Sequence, residues 1–136
     1  MKKQDLLSAF ASCAKHVGAN PASIADIEHW LGKRLPSAYV ELMSYSNGIE
    51  GFVRENYIAL WPVEQLKELN EVYAVAEFAP GLLLIGSNGA DTGFALDIRH
   101  EPMDVKEVPF VGMSHEEAKA VARNFNDFVE YLRSRT

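Results

Sequence analysis

The chain has 136 residues, 48% of them hydrophobic and 24% charged, which is enough to bury a core in one domain without staples and too apolar for a disordered chain. Its net charge of −6 is unevenly spread: residues 50–107 hold eleven Asp and Glu against four Lys and Arg, and the remainder is close to neutral. That acidic middle disfavours direct nucleic-acid binding, no apolar run approaches a membrane span, and the single cysteine, Cys13, excludes an internal disulfide and a thiolate zinc cage.

In chain order, the basic pair Lys2-Lys3 precedes Leu6 to Val17, a stretch interrupted by Ser8, Ser12, Lys15 and His16. This is an amphipathic pattern rather than the apolar core of a signal peptide, and the expected location is cytoplasmic. Leu6, Phe10, Cys13 and Val17 share a helical face, so a helix is predicted from about Lys3 to Val17, stopped by Gly18. A second helix opens at Asn20-Pro21, with Ser23 and Asp26 as a competing start; it buries Ile24, Ile27 and Leu31 and breaks at Gly32. Leu35-Pro36-Ser37 starts a third, carrying Tyr39, Val40, Leu42 and Met43 and ending at Asn47-Gly48.

Phe52 to Leu60 reads as one or two short strands turning near Arg54-Glu55-Asn56. Trp61-Pro62 leads into a helix predicted from Val63 to about Phe78, cored by Leu66, Leu69, Val72, Tyr73 and Val75 and terminated by Pro80-Gly81. Leu82 to Ile85 is a buried strand; Gly86-Ser87-Asn88-Gly89 turns it, and Gly93 to Ile98 returns. Val105 to Phe110 gives a third strand after a turn at Glu101-Pro102-Met103-Asp104. A closing helix is predicted from Ser114, with Glu117 completing a capping box and Ala118, Val121, Ala122, Phe125, Phe128, Val129 and Leu132 in register. The expectation is one α+β domain over residues 1–136, with an antiparallel-rich sheet of about four to five strands packed against helices.

Catalytic motifs are few. Asp91-Thr92-Gly93 matches the triplet of aspartic proteases, which bring two such carboxylates together, so a chain with one copy would have to dimerise. In those enzymes the triplet ends a strand; here Ser87-Asn88-Gly89-Ala90 precedes it, which is turn chemistry. The same loop lacks the Lys and the following helix that a phosphate-binding loop needs. His16, His29, His100 and His115 show no metal-ligand spacing, and Asp91, Asp97 and Asp104 lack the close alternation of a calcium loop. Cys13 reads as a small core residue, Trp30 as core or boundary packing, and Trp61 as an edge plug or a recognition aromatic. No cofactor and no metal site is expected.

A resemblance adds to this reading. Ile24-Ala25-Asp26-Ile27-Glu28, Leu31-Gly32, Leu35-Pro36-Ser37-Ala38-Tyr39 and Asn47-Gly48, in this order and spacing, resemble the first part of the SUKH superfamily, in the branch typified by a fungal regulator of cell-wall glucan synthesis. Leu60-Trp61-Pro62-Val63-Glu64-Gln65-Leu66 with Asn70 looks like that branch's strand-to-helix junction. Leu84-Ile85-Gly86-Ser87-Asn88-Gly89 with Phe94-Ala95-Leu96-Asp97 looks like its central hairpin, and Val108-Pro109-Phe110 is in place. The likeness covers roughly residues 23–132, placing the family core in residues 20–136 behind an N-terminal helix over 1–19. At the central turn Ala90-Asp91-Thr92 stands where family members often carry more glycines or an aromatic.

The resemblance implies a sheet cradled by helices and, in bacteria, an immunity protein that binds and neutralises a toxin, often a nuclease, rather than an enzyme. The acidic middle fits a toxin with a basic surface. The predicted partner-binding residues are Glu50, Glu55, Tyr57, Trp61, Asp91, Glu101 and Asp104. A regulatory or scaffolding adaptor, and a dimeric hydrolase using Asp91, are the alternatives from other classes.

Overall fold

The computed structural model describes residues 3–134; Lys2 of the basic pair, like the other terminal residues, lies outside them. Seven strands make one antiparallel sheet whose spatial order is its chain order: β1 (Ala14–Lys15), β2 (Ile49–Val53), β3 (Asn56–Leu60), β4 (Leu82–Ser87), β5 (Thr92–Asp97), β6 (Val105–Pro109) and β7 (Lys119–Ala122). Among the described residues six α-helices accompany it: α1 (Lys3–Ser8), α2 (Pro21–Leu31), α3 (Ser37–Tyr45), α4 (Leu66–Val72), α5 (Val75–Phe78) and α6 (Phe125–Ser134). The α+β class matches the sequence expectation, but the sheet has seven strands rather than four to five. The two extra strands are edge pieces that read as helix in the sequence.

Alternation along each strand sends successive side chains to opposite faces. One face carries Ile49, Val53, Ile58, Leu60, Leu83, Ile85, Phe94, Leu96 and Val105, and packs on Leu6 and Phe10, on α2 and α3, and on Phe125, Phe128, Val129 and Leu132 of α6. The other face is covered only over β4–β6, where Leu82, Leu84, Ala95 and Val108 meet Val75, Ala79 and Met113. β4 and β5 are buried on both sides, which is why Leu82 to Ile85 is an unbroken apolar run.

Three predicted helices are corrected. The first ends at Ser8: Phe10, Ala11 and Cys13 donate to carbonyls three residues back, and the chain then turns out so that Ala14 and Lys15 can pair with Glu50 and Ile49. Leu6 and Phe10 are buried as expected, but Val17 is 88% exposed. Gly18 is no helix stop; a Cβ there would stand 1.9 Å from the Ser44 carbonyl oxygen, so its place is one of close chain approach.

The predicted helix over residues 63–78 is a 3-10 turn (Val63–Gln65), then α4, then α5, broken at Ala74, whose φ of 53° is left-handed. The break turns Val75 inward and leaves Val72 exposed, against expectation. The closing helix also divides. Ser114 Oγ accepts from the Glu117 amide at 3.1 Å, but that turn is not continued; Lys119–Ala122 completes the sheet against β6. Asn124 then restarts the chain as a helix, its Oδ1 accepting from the Asp127 amide at 2.8 Å. Val121 and Ala122 pack on the core as the helical pattern implied, but from a strand.

The second and third helices follow the sequence. Asn20 Oδ1 accepts from the Ala22 amide at 2.9 Å and Gly32 closes α2 in the left-handed region, so the competing Ser23 start is not used. Trp30, near the end of α2, is 39% exposed, at the boundary rather than in the core.

Candidate functional site

Beyond α4 and α5 the second sheet face lies open over β1–β3. Ile49 and Val53 of β2 point into the core, so Glu50 and Phe52 between them point outward, opposite Ala59 and Tyr57 of β3. Phe52 is 54% exposed, and its ring meets Tyr57 edge-on with centroids 5.3 Å apart. The Tyr57 ring lies over Gly89 of the β4–β5 turn, where a Cβ would come within 2.7 Å of it. Beside this pair, Trp61 at the end of β3 stacks with Tyr73 at 6.2 Å, and Tyr73 with Phe110 at 4.5 Å. The open face is thus an aromatic floor bounded on one side by a three-ring wall.

Charge surrounds this floor. Glu50 approaches His16 Nε2 at 3.5 Å, and the two line a cavity of about 480 Å³ with Asn47, Trp61 and Gln65. Asn47 shapes the same corner: its Oδ1 accepts from the Val63 amide at 2.9 Å and its Nδ2 donates to Glu64 at 2.6 Å, which holds the Glu64 carboxyl below the ordinary range. Glu55 and Tyr57 line a cleft of about 220 Å³ with Asn88 and Thr92 at the opposite end of the strands. Asp91, exposed beside it, accepts from Thr92 Oγ1 at 3.1 Å.

The seven residues singled out in the sequence therefore fall into three places. Glu50 and Trp61 share one end of the open face, and Glu55, Tyr57 and Asp91 gather at the other, about 7–13 Å away along the strands at about 3.3 Å per residue. Glu101 and Asp104 lie apart, in the β5–β6 connection, where Glu101 lines a cavity of about 770 Å³ with Lys33 and Arg34. Sequence reasoning missed Phe52, Tyr73 and Phe110. Phe52 was legible in principle: once Ile49 and Val53 are core, strand alternation places it outside.

Asn88 Oδ1 accepts from the Ala90 and Thr92 amides at 3.0 and 3.2 Å, which makes Asp91-Thr92-Gly93 the return of a hairpin turn. The buried carboxylate is instead Asp97, wholly shielded, held by Arg99 through two bonds of 2.9 and 2.8 Å and by Lys106 at 2.9 Å. Those hydrogen bonds, Arg99 first, hold its carboxyl far below the usual range; this is a structural ion cluster. Burial pushes the Cys13 thiol up, away from a reactive thiolate. Among the described residues, no group of three or more His, Cys, Asp or Glu is placed to hold a metal ion, and no helix is long and apolar enough to cross a membrane.

The family model described as SMI1 / KNR4 family (SUKH-1) matches residues 18–131. The chain belongs to the SMI1 / KNR4 family. The match takes in every strand except β1, and with them the whole aromatic floor. Within this SUKH domain, Asn47-Gly48 and Trp61-Pro62 come together: a Cβ on Gly48 would lie 3.0 Å from the Pro62 ring. No curated protein matches the chain.

Proposed function

We propose that this SMI1 / KNR4 domain is a non-enzymatic binding protein of the immunity type, which neutralises a cognate toxin by covering a basic surface, as a nuclease toxin would offer. The observation that carries the reading is the uncovered half of the sheet face. Exposed Phe52 and the ring of Tyr57 supply apolar contact of the kind that dominates interface energetics. Glu50, Glu55 and Asp91 stand around them as a rim, suited to steering a basic partner. Trp61 and its stacked neighbours would bound the contact, and Glu101 and Asp104 would be reached only by a partner large enough to extend around the β5–β6 end. Family membership supports a protein partner, and the expected place of action is the cytoplasm.

The test is binding and inhibition of the toxin-like product of the adjacent gene, at low and high salt. Inhibition is expected, with affinity that falls as salt rises and is lost in Phe52→Ser and in the triple reversal of Glu50, Glu55 and Asp91 to Lys. Absence of binding, or binding indifferent to all of these changes, overturns the reading. Several weak partners with no toxin inhibited would favour a regulatory adaptor instead.

A further inference from the structure

A second recess lies away from the open sheet face, between the end of α2 and the α4–α5 break. Trp30 and Leu31 form one wall, Ala74 and Val75 the other, and Leu82 with Ile98 the floor of a groove of about 530 Å³. That is room for two or three bulky apolar side chains. Its polar lining is small: the Asn70 amide is already committed to Leu66 and Leu84. Ala74 on the wall adopts the left-handed conformation without being glycine, at a cost of about 1 kcal/mol, where the chain turns from α4 into α5.

The α4–α5 side of its mouth is acidic. Glu71 and Glu77 line it, both exposed and, among the described residues, neither in an ion pair or side-chain hydrogen bond. The C-terminal end of α2, an 11-residue helix, adds the negative end of its dipole at Trp30 and Leu31. On the opposite side, Lys33 donates to the Ile98 carbonyl, and Arg99, lying across Gly81, is paired with Asp97.

We propose that this groove is a second docking site, distinct from the open sheet face, for a basic amphipathic segment of a protein partner. Apolar side chains of the segment would fill the space beside Trp30, and its Lys or Arg would meet Glu71 and Glu77. Exposed carboxylates beside an apolar floor are the complement of such a segment.

The experiment uses the full chain and fluorescently labelled amphipathic helices with Leu at i, i+3, i+4 and i+7 and either Lys or Glu on the other face, followed by anisotropy. The Leu/Lys helix is expected to bind, and the Leu/Glu helix not to. Affinity should fall at least tenfold in Glu71→Gln/Glu77→Gln and in Ala76→Arg, which fills the groove from an exposed position on its wall, with circular dichroism confirming the fold. It should be unchanged in Phe52→Ser, which separates this site from the sheet face. No binding of the Leu/Lys helix, or binding equal in wild type and both groove variants, overturns the proposal. So does tight binding of dodecyltrimethylammonium that the helix cannot displace, which would make the groove a small-amphiphile site.

Discussion

The Asn70 side chain bonds to Leu84 as a neighbouring strand would: its Nδ2 donates to the Leu84 carbonyl at 3.0 Å and its Oδ1 accepts from the Leu84 amide at 2.8 Å. The pairing of β3 with β4 is short, two residues long, and beyond it Trp61 N–H still reaches the Ile85 carbonyl at 2.9 Å. There β3 has left the sheet for the 3-10 turn, so the outward backbone groups of Leu84 need another partner. One amide on α4 supplies both a donor and an acceptor, and ties the helix that flanks the open face to the central strand.

Replacing Asn70 by Leu should therefore leave the Leu84 amide and carbonyl buried and unpaired. The expected loss is about 2–4 kcal/mol, one desolvated group at about 1–3 kcal/mol for each side of the pair, partly recovered by apolar contact. A urea unfolding curve would read it as a lower midpoint at unchanged slope, and hydrogen exchange at Leu84 should accelerate well beyond the global change.

The Asp97 cluster sets a pH dependence whose sign follows from its pairing. Its folded carboxyl is held below the ordinary value near 4, chiefly by Arg99 and then by Lys106, so the folded state favours the ionised form. Its contribution is complete above about pH 5 and drains away as pH falls through 4 toward the lowered folded value. Asp97→Asn should cost about 2–3 kcal/mol at pH 7, toward the lower side for a buried pair because Arg99 is half exposed, and should flatten the stability profile between about pH 5 and 2. Thermal melts of both proteins across that range would check it; parallel profiles would refute the assignment.

Much of this was legible in the sequence where local chemistry decides. Asn20 and Gly32 bound α2 because a cap and a left-handed stop are local events, and the apolar run Leu82 to Ile85 marks a strand buried on both sides. The failures share a cause. Leu6 and Phe10, and Val121 with Phe125 and Phe128, are spaced as on a helix and are buried or part-buried, but the chain after Phe10 and around Val121 is taken up by sheet pairing that periodicity cannot see. Ala74 carries no signal at all for its left-handed backbone. The candidate site was half readable: Glu50, Tyr57 and Trp61 sit where the open face is, but which half of that face α4 and α5 leave uncovered is a tertiary fact.

Tyr39 offers a prediction with the opposite sign. It is fully buried against Phe125, rings edge-on at 5.5 Å, and its hydroxyl has no hydrogen-bond partner among the described residues. Burial pushes the hydroxyl pKa well above its ordinary value near 10. Tyr39→Phe should stabilise the domain by about 1 kcal/mol, raising Tm by a few degrees. Because the folded pKa is raised, the unfolded chain loses this proton first as pH passes 10, so wild-type stability should fall above that pH and the variant's should fall less.

Gly86 tests the seam of the sheet. It lies opposite Leu60, and a Cβ there would come within 2.2 Å of the Ala59 carbonyl oxygen and 3.0 Å of the Leu60 Cα, both backbone atoms that no rotamer change can move. Ala59 with Ser87 and Leu60 with Gly86 are the whole β3–β4 ladder, so β3 must retreat along the line that joins the open half of the sheet to the covered half. Gly86→Ala should therefore cost about 3 kcal/mol, at the upper end for overpacking. The damage should be uneven: amides of β2 and β3 should exchange faster by more than the global loss explains, while those of β5 and β6 follow the global change. Since Phe52, Tyr57 and Trp61 all ride on the displaced side, binding through the open face should weaken even at temperatures where the variant is fully folded. A uniform loss of protection with unaltered partner affinity would show that the two halves move as one.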